Sequence, residues 1–253
     1  MLRQEMAKGL NIIGGTLLLL FHALKHMSSL PRQWALCLEH AYMIGYRTFP
    51  IVAIMSLFIG GVLALQTGYS LSTLTGAKNF LGNVVGLSMA RELGPVMTAF
   101  LLAGRMGSSI AAELGAMTVY QEVDALKMMN VPPERFLVLP RIVAILLMMP
   151  ALTLFSVVLG WIGGQLVSEY VQFIQLDRSI YWRGLQTSVE FKSVMDGLVK
   201  AELFGLVVVL VGCYEGLSAR GGPREIGRAV THAVVGAMVL ILVLDYFVTR
   251  AQM

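Results

Sequence analysis

Of the 253 residues, 57% are hydrophobic and only 13% are charged, against roughly 25% charged in soluble domains. So few charges cannot coat a globule of this size, which excludes a soluble enzyme, a disordered chain and a nucleic-acid-binding domain, and leaves an integral membrane protein. The net charge of +4 then reads as loop Lys and Arg that orient the chain in a bilayer, not as a surface for a polyanion.

At the N-terminus, Arg3 and Lys8 precede an apolar stretch from Leu10 to Leu24, superficially like a signal peptide. His22, Lys25 and His26 follow with no small-x-small cleavage site, so cleavage is not expected. A stretch of fifteen residues is too short to span, and a mixed stretch from Arg32 to Arg47 comes next. Residues 1–47 are therefore expected to form an interfacial amphipathic segment. Cys37 and Cys213 are too few for a disulfide framework and read as packing residues.

A helix needs about 20 apolar residues to cross a bilayer. Five segments reach that length: 48–70, 84–112, 136–167, 194–215 and 228–249. The expected fold is all-α, with five transmembrane helices in a domain covering 48–253. With the N-terminus in the cytoplasm, eleven Lys and Arg fall inside, among them Arg32, Arg47, Lys127, Arg135, Arg141 and Arg228. Lys78, Arg91, Arg178, Arg183, Lys192 and Arg250 lie on or near the other side, so the positive-inside bias favours this orientation. Five spans leave the C-terminus outside.

Small residues recur every fourth position at Gly60, Ala64 and Gly68, and again at Ala99, Ala103, Gly107, Ala111 and Gly115. Such ladders mark close helix contacts, within one chain or between copies.

Charges inside spans are costly and need a reason. Arg91 and Glu92 lie in the second span, Lys200 and Glu202 in the fourth with Asp196 nearer its end, and Asp245 in the fifth. At about 1.5 Å per residue these groups fall in one layer of the outer half. The layer is either an ion-pair cluster holding helices together or a polar cavity for something amphipathic or charged. Pro95 and Pro150 interrupt two spans, and Pro95, one turn from Glu92, favours the cavity.

Between the second and third spans, the cytoplasmic stretch 113–135 carries Thr118-x-x-Gln121, a capping-box pattern that predicts a helix from Val119 to Met129. Asn130 can cap it, and Pro132-Pro133 forbids continuation. Its polar face holds Gln121, Glu122 and Asp124 with only Lys127 in opposition. That suits a soluble protein partner at least as well as an anionic leaflet. His232, alone in the fifth span, reads as hydrogen-bonded packing. There is no G-x-x-x-x-G-K-[ST], so ATP is not held here by a P-loop, and no serine-protease frame or metal-ligand set appears.

The runs Ala90-Arg91-Glu92-Leu93-Gly94-Pro95-Val96, Ala103-Gly104-Arg105-Met106-Gly107-Ser108 and Ala112-Glu113-Leu114-Gly115-Ala116-Met117 resemble the MlaE-type permeases. So do Glu122-Val123-Asp124-Ala125-Leu126 and Leu139-Pro140-Arg141, and more weakly Lys200-Ala201-Glu202-Leu203-Phe204-Gly205 and Asp245-Tyr246. The resemblance covers most of residues 45–250. It implies the permease subunit of a bacterial ABC transporter that moves phospholipids between the inner membrane and a periplasmic MCE-domain protein, maintaining outer-membrane lipid asymmetry. The implied partners are a second copy of the chain, a cytoplasmic P-loop ATPase dimer that uses ATP and Mg, and a STAS-domain protein. No cofactor would belong to this chain, which would not be an enzyme.

Carried over, Arg91, Glu92, Lys200, Glu202 and Asp245 would meet the lipid in an outward-open cavity. Gln121, Glu122, Asp124, Ala125 and Leu126 would dock on the ATPase, and Ala99, Ala103, Gly107 and Ala111 would pack the dimer. The competing reading is a stand-alone ion-coupled carrier or channel built on the same charged layer, and the acidic cytoplasmic helix is the feature it would not require.

Overall fold

A computed structural model describes residues 2–72 and 77–252, and the regular structure among them is entirely helical. Four helical runs are long and apolar enough to cross a membrane: Trp34–Ser72, Ala77–Val119, Glu134–Tyr170 and Pro223–Gln252. They contain four of the five expected spans. The other, 194–215, lies in the 28-residue helix Phe191–Ser218, where Lys192, Asp196, Lys200, Glu202 and Glu215 interrupt the apolar sequence. In chain order the helices are α1 (Leu2–Lys25), α2 (Trp34–Ser72), α3 (Leu81–Ser88), α4 (Gly94–Leu102), α5 (Ser108–Val119), α6 (Glu122–Met128), α7 (Leu139–Tyr170), α8 (Arg178–Ser188), α9 (Phe191–Ser218) and α10 (Pro223–Gln252). The boundary expected at residue 47 falls inside α2, which runs on from Trp34 as one helix.

Two π-helical turns, Met89–Leu93 and Ala103–Gly107, join α-helical pieces, and a third, Glu134–Val138, leads into α7. In the first, the Gly94 N–H reaches back to the Met89 carbonyl. The extra residue gives room for Pro95, which has no N–H and would crowd a regular turn. Pro95 is thus accommodated by a widened turn rather than by a break.

The chain divides into two compact units. One comprises Met1–Gly45, Phe100–Met148 and Phe204–Phe247. Within it α5 lies against α9: Gly216 faces Leu114 and Ala111, and Gly212 faces Gly107, whose carbonyl stands 3.1 Å from where a Gly212 Cβ would be. Ala103 and Ala111 are fully buried and Gly107 packs on Val208. Gly107 and Ala111 of the small-residue stripe are therefore covered by α9 of the same chain, and Gly115 by Ala219 and Ile226. Burial of Ala103, Gly107 and Ala111 accounts for close contact within the chain, and packing of a second copy along Ala99, Ala103, Gly107 and Ala111 stays a proposal. Another buried stripe, Ala229, Ala233, Ala237 and Ile241, runs along α10.

The second unit comprises Tyr46–Ala99, Met149–Leu203 and Val248–Met253. Here α2 and α7 approach until backbone meets backbone. A Cβ on Gly60 would overlap the Gly160 carbonyl, and one on Gly163 would overlap the Leu57 carbonyl. Ser56 Oγ donates to Ser156 Oγ at 2.8 Å beside this contact, and Phe49 and Phe155 meet edge to face. Ala99, the first residue of the longer ladder, is fully buried within this unit.

Ala64, Leu81, Val85, Met89, Ile174, Leu176, Tyr181 and Leu185 form a hydrophobic core where α8 packs on α3. The Tyr181 hydroxyl donates to the Trp161 carbonyl at 3.1 Å, and burial pushes this phenol above its ordinary pKa.

Asp177 caps α8 by accepting from the Ser179 N–H at 2.7 Å. Hydrogen bonds from Ser179 hold the Asp177 carboxyl below its ordinary value of 3.8. A depressed folded-state pKa contributes stability that is complete above the unfolded value and is lost as pH falls through the folded one. Hydrogen-exchange protection at the start of α8 is therefore expected to fall as pH drops below about 3.8. In Asp177→Ala protection should be low throughout and flat with pH. A wild-type profile as flat as the variant's would show that the cap contributes nothing.

Candidate functional site

The first π-helical turn exposes Arg91 and half-buries Glu92 in the middle of an apolar run. On α9, Ser193, Asp196 and Lys200 share one face at i, i+3 and i+7. The Lys200 side chain is 1% exposed, and its Nζ donates to Glu92 Oε1 at 2.6 Å and to Thr249 Oγ1 at 2.7 Å. Thr249 Oγ1 in turn donates to Glu92 Oε1 at 3.3 Å. Three segments distant in sequence are tied through one ammonium. An ammonium in an apolar interior is tolerated only when paired and hydrogen-bonded, and these bonds meet that condition.

Arg91 Nε donates to Ser193 Oγ at 3.2 Å, and Gln252 Nε2 donates to the Asp196 carbonyl at 3.0 Å. Together Leu87, Ser88, Arg91, Glu92, Asp196, Thr249 and Gln252 line a cavity of about 210 Å³. Arg91 bonds to no other described residue, so its guanidinium keeps donors for an anion. Lys200 is committed to its carboxylate and hydroxyl.

Four of the five residues expected to face a ligand thus belong to the second unit, and the structure joins Glu92 to Lys200 directly. Glu202, two residues further along α9, is half-buried, and its Oε2 has no hydrogen-bond partner among the described residues. Asp245 belongs to the other unit. Sequence reading passed over Ser193, Thr249 and Gln252. Short neutral polar side chains carry little signal in an apolar helix, but Thr249 lies four residues beyond Asp245 and so shares its face of α10.

The docking candidates occupy α6, which is shorter than expected. The capping box does not form, because Thr118 lies in the last turn of α5 and its hydroxyl donates to the Leu114 carbonyl at 2.8 Å. Gln121 instead takes a left-handed conformation, φ 62°, and α6 begins at Glu122. Its end does follow the expectation. Asn130 adopts φ 58°, its N–H reaches the Lys127 carbonyl, and the Val131 N–H reaches that of Leu126, a Schellman cap. Val123 is buried and pins the helix, while Gln121, Glu122, Asp124 and Ala125 are exposed and Leu126 is half-buried. Met128 and Met129 are exposed beside them.

Another pair, unremarked in the sequence, steadies the base of this loop. Arg141, buried, bonds Glu113 at 2.7 Å and also donates to the Leu137 carbonyl. It ties the middle of α5 to the start of α7, bracketing the stretch that carries α6.

The profile of a family described as permease MlaE matches residues 37–251. The chain is 38% identical to a probable ABC transporter permease protein of Rickettsia typhi over 91% of this chain and 88% of that protein. It is 34% identical to the intermembrane phospholipid transport system permease protein MlaE of Haemophilus influenzae, again over 91% and 88%. A chloroplastic protein of Arabidopsis thaliana, trigalactosyldiacylglycerol 1, is 30% identical over 84% of this chain and 60% of its own length.

Proposed function

This chain belongs to the MlaE permease family, and from that premise we propose that it is the permease of an ABC transporter moving phospholipids between the inner membrane and a periplasmic MCE-domain protein. The observation that carries the reading furthest is the polar cavity beside the Lys200–Glu92–Thr249 cluster. A lipid phosphate needs a cation that is not already neutralised, and Arg91 offers one at the cavity wall. Lys200, Glu202 and Asp245, which are not among the residues lining that cavity, are proposed as substrate contacts through the family resemblance. Phospholipid delivery to the MCE protein would serve outer-membrane lipid asymmetry.

The proposed topology has five crossings, α9 supplying the fourth, with an interfacial segment over 1–47, the permease domain over 48–253, a cytoplasmic N-terminus and a periplasmic C-terminus. Two copies pair and bind a cytoplasmic ATPase dimer, which consumes ATP and Mg, with a STAS-domain protein joining it. The chain itself catalyses nothing. ATP-driven closure of the ATPase pair would press on α6, and the loop fixed by Arg141 and Glu113 would transmit that motion into the spans.

Gln121, Glu122, Asp124, Ala125 and Leu126 form the proposed docking face. Its acidic and methionine-bearing surface supports a protein partner over an anionic leaflet. Asp124→Lys is expected to reduce ATPase co-purification at least about tenfold, since it places like charges together on a rim that a basic partner would face. Undiminished recovery of the ATPase with this variant would rule out α6 as the docking helix. Mild-detergent purification with mass spectrometry of all bound proteins and lipids tests the whole assembly. A chain recovered with no ATPase under several gentle conditions would overturn the reading.

A further inference from the structure

Where α9 ends and α10 begins, a cleft of about 450 Å³ is lined by Glu215, Ser218, Arg220, Glu225, Arg228 and His232, with two alanines at its back. The charges here are unevenly satisfied. Arg228 bonds Glu225 at 2.6 Å and so is largely neutralised. Glu215 is a buried residue, its side chain 11% exposed, and the nearest basic group is the His232 imidazole, its Nδ1 at 3.9 Å and beyond hydrogen-bond reach. No described residue donates a hydrogen bond to this carboxylate. Arg220 is exposed and has no partner among the described residues.

A buried carboxylate without a donor and a guanidinium without an anion thus share one cleft, and burying a charge uncompensated is costly. Glu225 and Arg228 at the start of α10 also line the cleft, and the dipole of that helix end favours an anion. α10 is one of the helices long and apolar enough to cross a membrane, and the charged residues near its start, Arg224, Glu225 and Arg228, are of the kind that sit at a membrane–water interface.

We propose that this cleft is a binding site for a phospholipid headgroup carrying both an ammonium and a phosphate, the ammonium meeting Glu215 and the phosphate meeting Arg220 and the start of α10. A headgroup with phosphate alone leaves Glu215 unpaired. One with an ammonium but no anion leaves Arg220 unpaired. The zwitterion satisfies both. This site is separate from the cavity at Arg91, and the inference does not rest on the transport reading.

The full-length chain, purified with its co-purifying subunits in detergent, is titrated with dihexanoyl phosphatidylethanolamine, dihexanoyl phosphatidylglycerol and free O-phosphoethanolamine. Hydrogen-exchange protection of residues 216–231 reports occupancy of this cleft and not of the other cavity. The ethanolamine lipid is expected to protect the segment at concentrations about tenfold below the glycerol lipid, as a charge-assisted hydrogen bond allows. Glu215→Gln should remove that preference while keeping phosphate-dependent protection. Arg220→Gln, a change at an exposed side chain, should weaken both lipids. Protection by O-phosphoethanolamine at the same concentrations supports headgroup recognition alone, and protection only by the lipid supports a site that also uses the acyl chains. Equal protection by the two lipids in the unaltered chain overturns the proposal. Protection that appears only on adding a cytoplasmic protein, with no lipid effect, overturns it too and assigns the cleft to that partner.

Discussion

Glu92→Ala is expected to abolish phospholipid transport and to cost the folded chain about 3–5 kcal/mol, the usual penalty for stranding one member of a buried ion pair. The pair is asymmetric, and this separates the two partners. Lys200 is 1% exposed and cannot find water if its carboxylate is removed, whereas Glu92 is 39% exposed and can. Lys200→Met, which fills the same space without the charge, should therefore keep the complex assembled and most of its stability while still losing transport. The measurements are thermal unfolding in detergent and transfer of labelled phospholipid in reconstituted vesicles. A wild-type transport rate in Lys200→Met would reduce the cluster to a brace between helices. Equal destabilisation by the two variants would contradict the burial asymmetry.

The largest purely structural effect is expected at the α2–α7 crossing. In Gly60→Ala or Gly163→Ala the new methyl meets a backbone carbonyl of the opposite helix, and a backbone cannot rotate aside as a side chain can. The helices must separate, giving up the packing that holds them in a bilayer, where water exclusion supplies no help. The expected cost is about 3 kcal/mol or more for each, at the upper end of overpacking penalties. Gly227→Ala is the control: it lies within α10 with nothing close to its Cβ, and should stabilise by about 0.5–1 kcal/mol through helix propensity. If all three behaved alike in melting experiments, the close approach of α2 and α7 would be wrong.

What could be read in advance follows from how local each signal is. Apolar runs are local, and the four long spanning helices contain the segments expected for them. The run at 194–215 lies within α9, whose charges keep it apart from those four. The Lys200–Glu92 bond could not be read, because it joins residues far apart in sequence. Charge in an apolar run marks Lys200 as needing a partner without naming which. Thr249 and Ser193 carry no charge, so nothing in their own neighbourhood marks them. The capping box failed for a different reason: Thr118 had a nearer acceptor in its own helix, and the same four residues serve a helix end as readily as a helix start. At Asn130 the cap did form, since a left-handed residue followed by two prolines admits few alternatives. Small-residue ladders announced close contact but not whose; Gly107 and Ala111 meet α9 of the same chain, which leaves pairing of two copies to the proposed assembly.

The π-helical turn at Ala103–Gly107 also bears on how such ladders arise. In a regular α-helix a side chain repeated every fourth position advances about 40° around the axis at each step. A ladder from Ala99 to Gly115 would therefore spiral almost to the opposite side of the cylinder. A wider turn holds more residues per revolution, slows that spiral and keeps Ala103 and Gly107 on one buried side, where Gly107 meets α9. The four-residue beat and the surplus residue are commensurate. Deleting one residue between Ala103 and Gly107 would keep every small side chain yet swing the later ones out of alignment, so the length of this segment is as constrained as its composition.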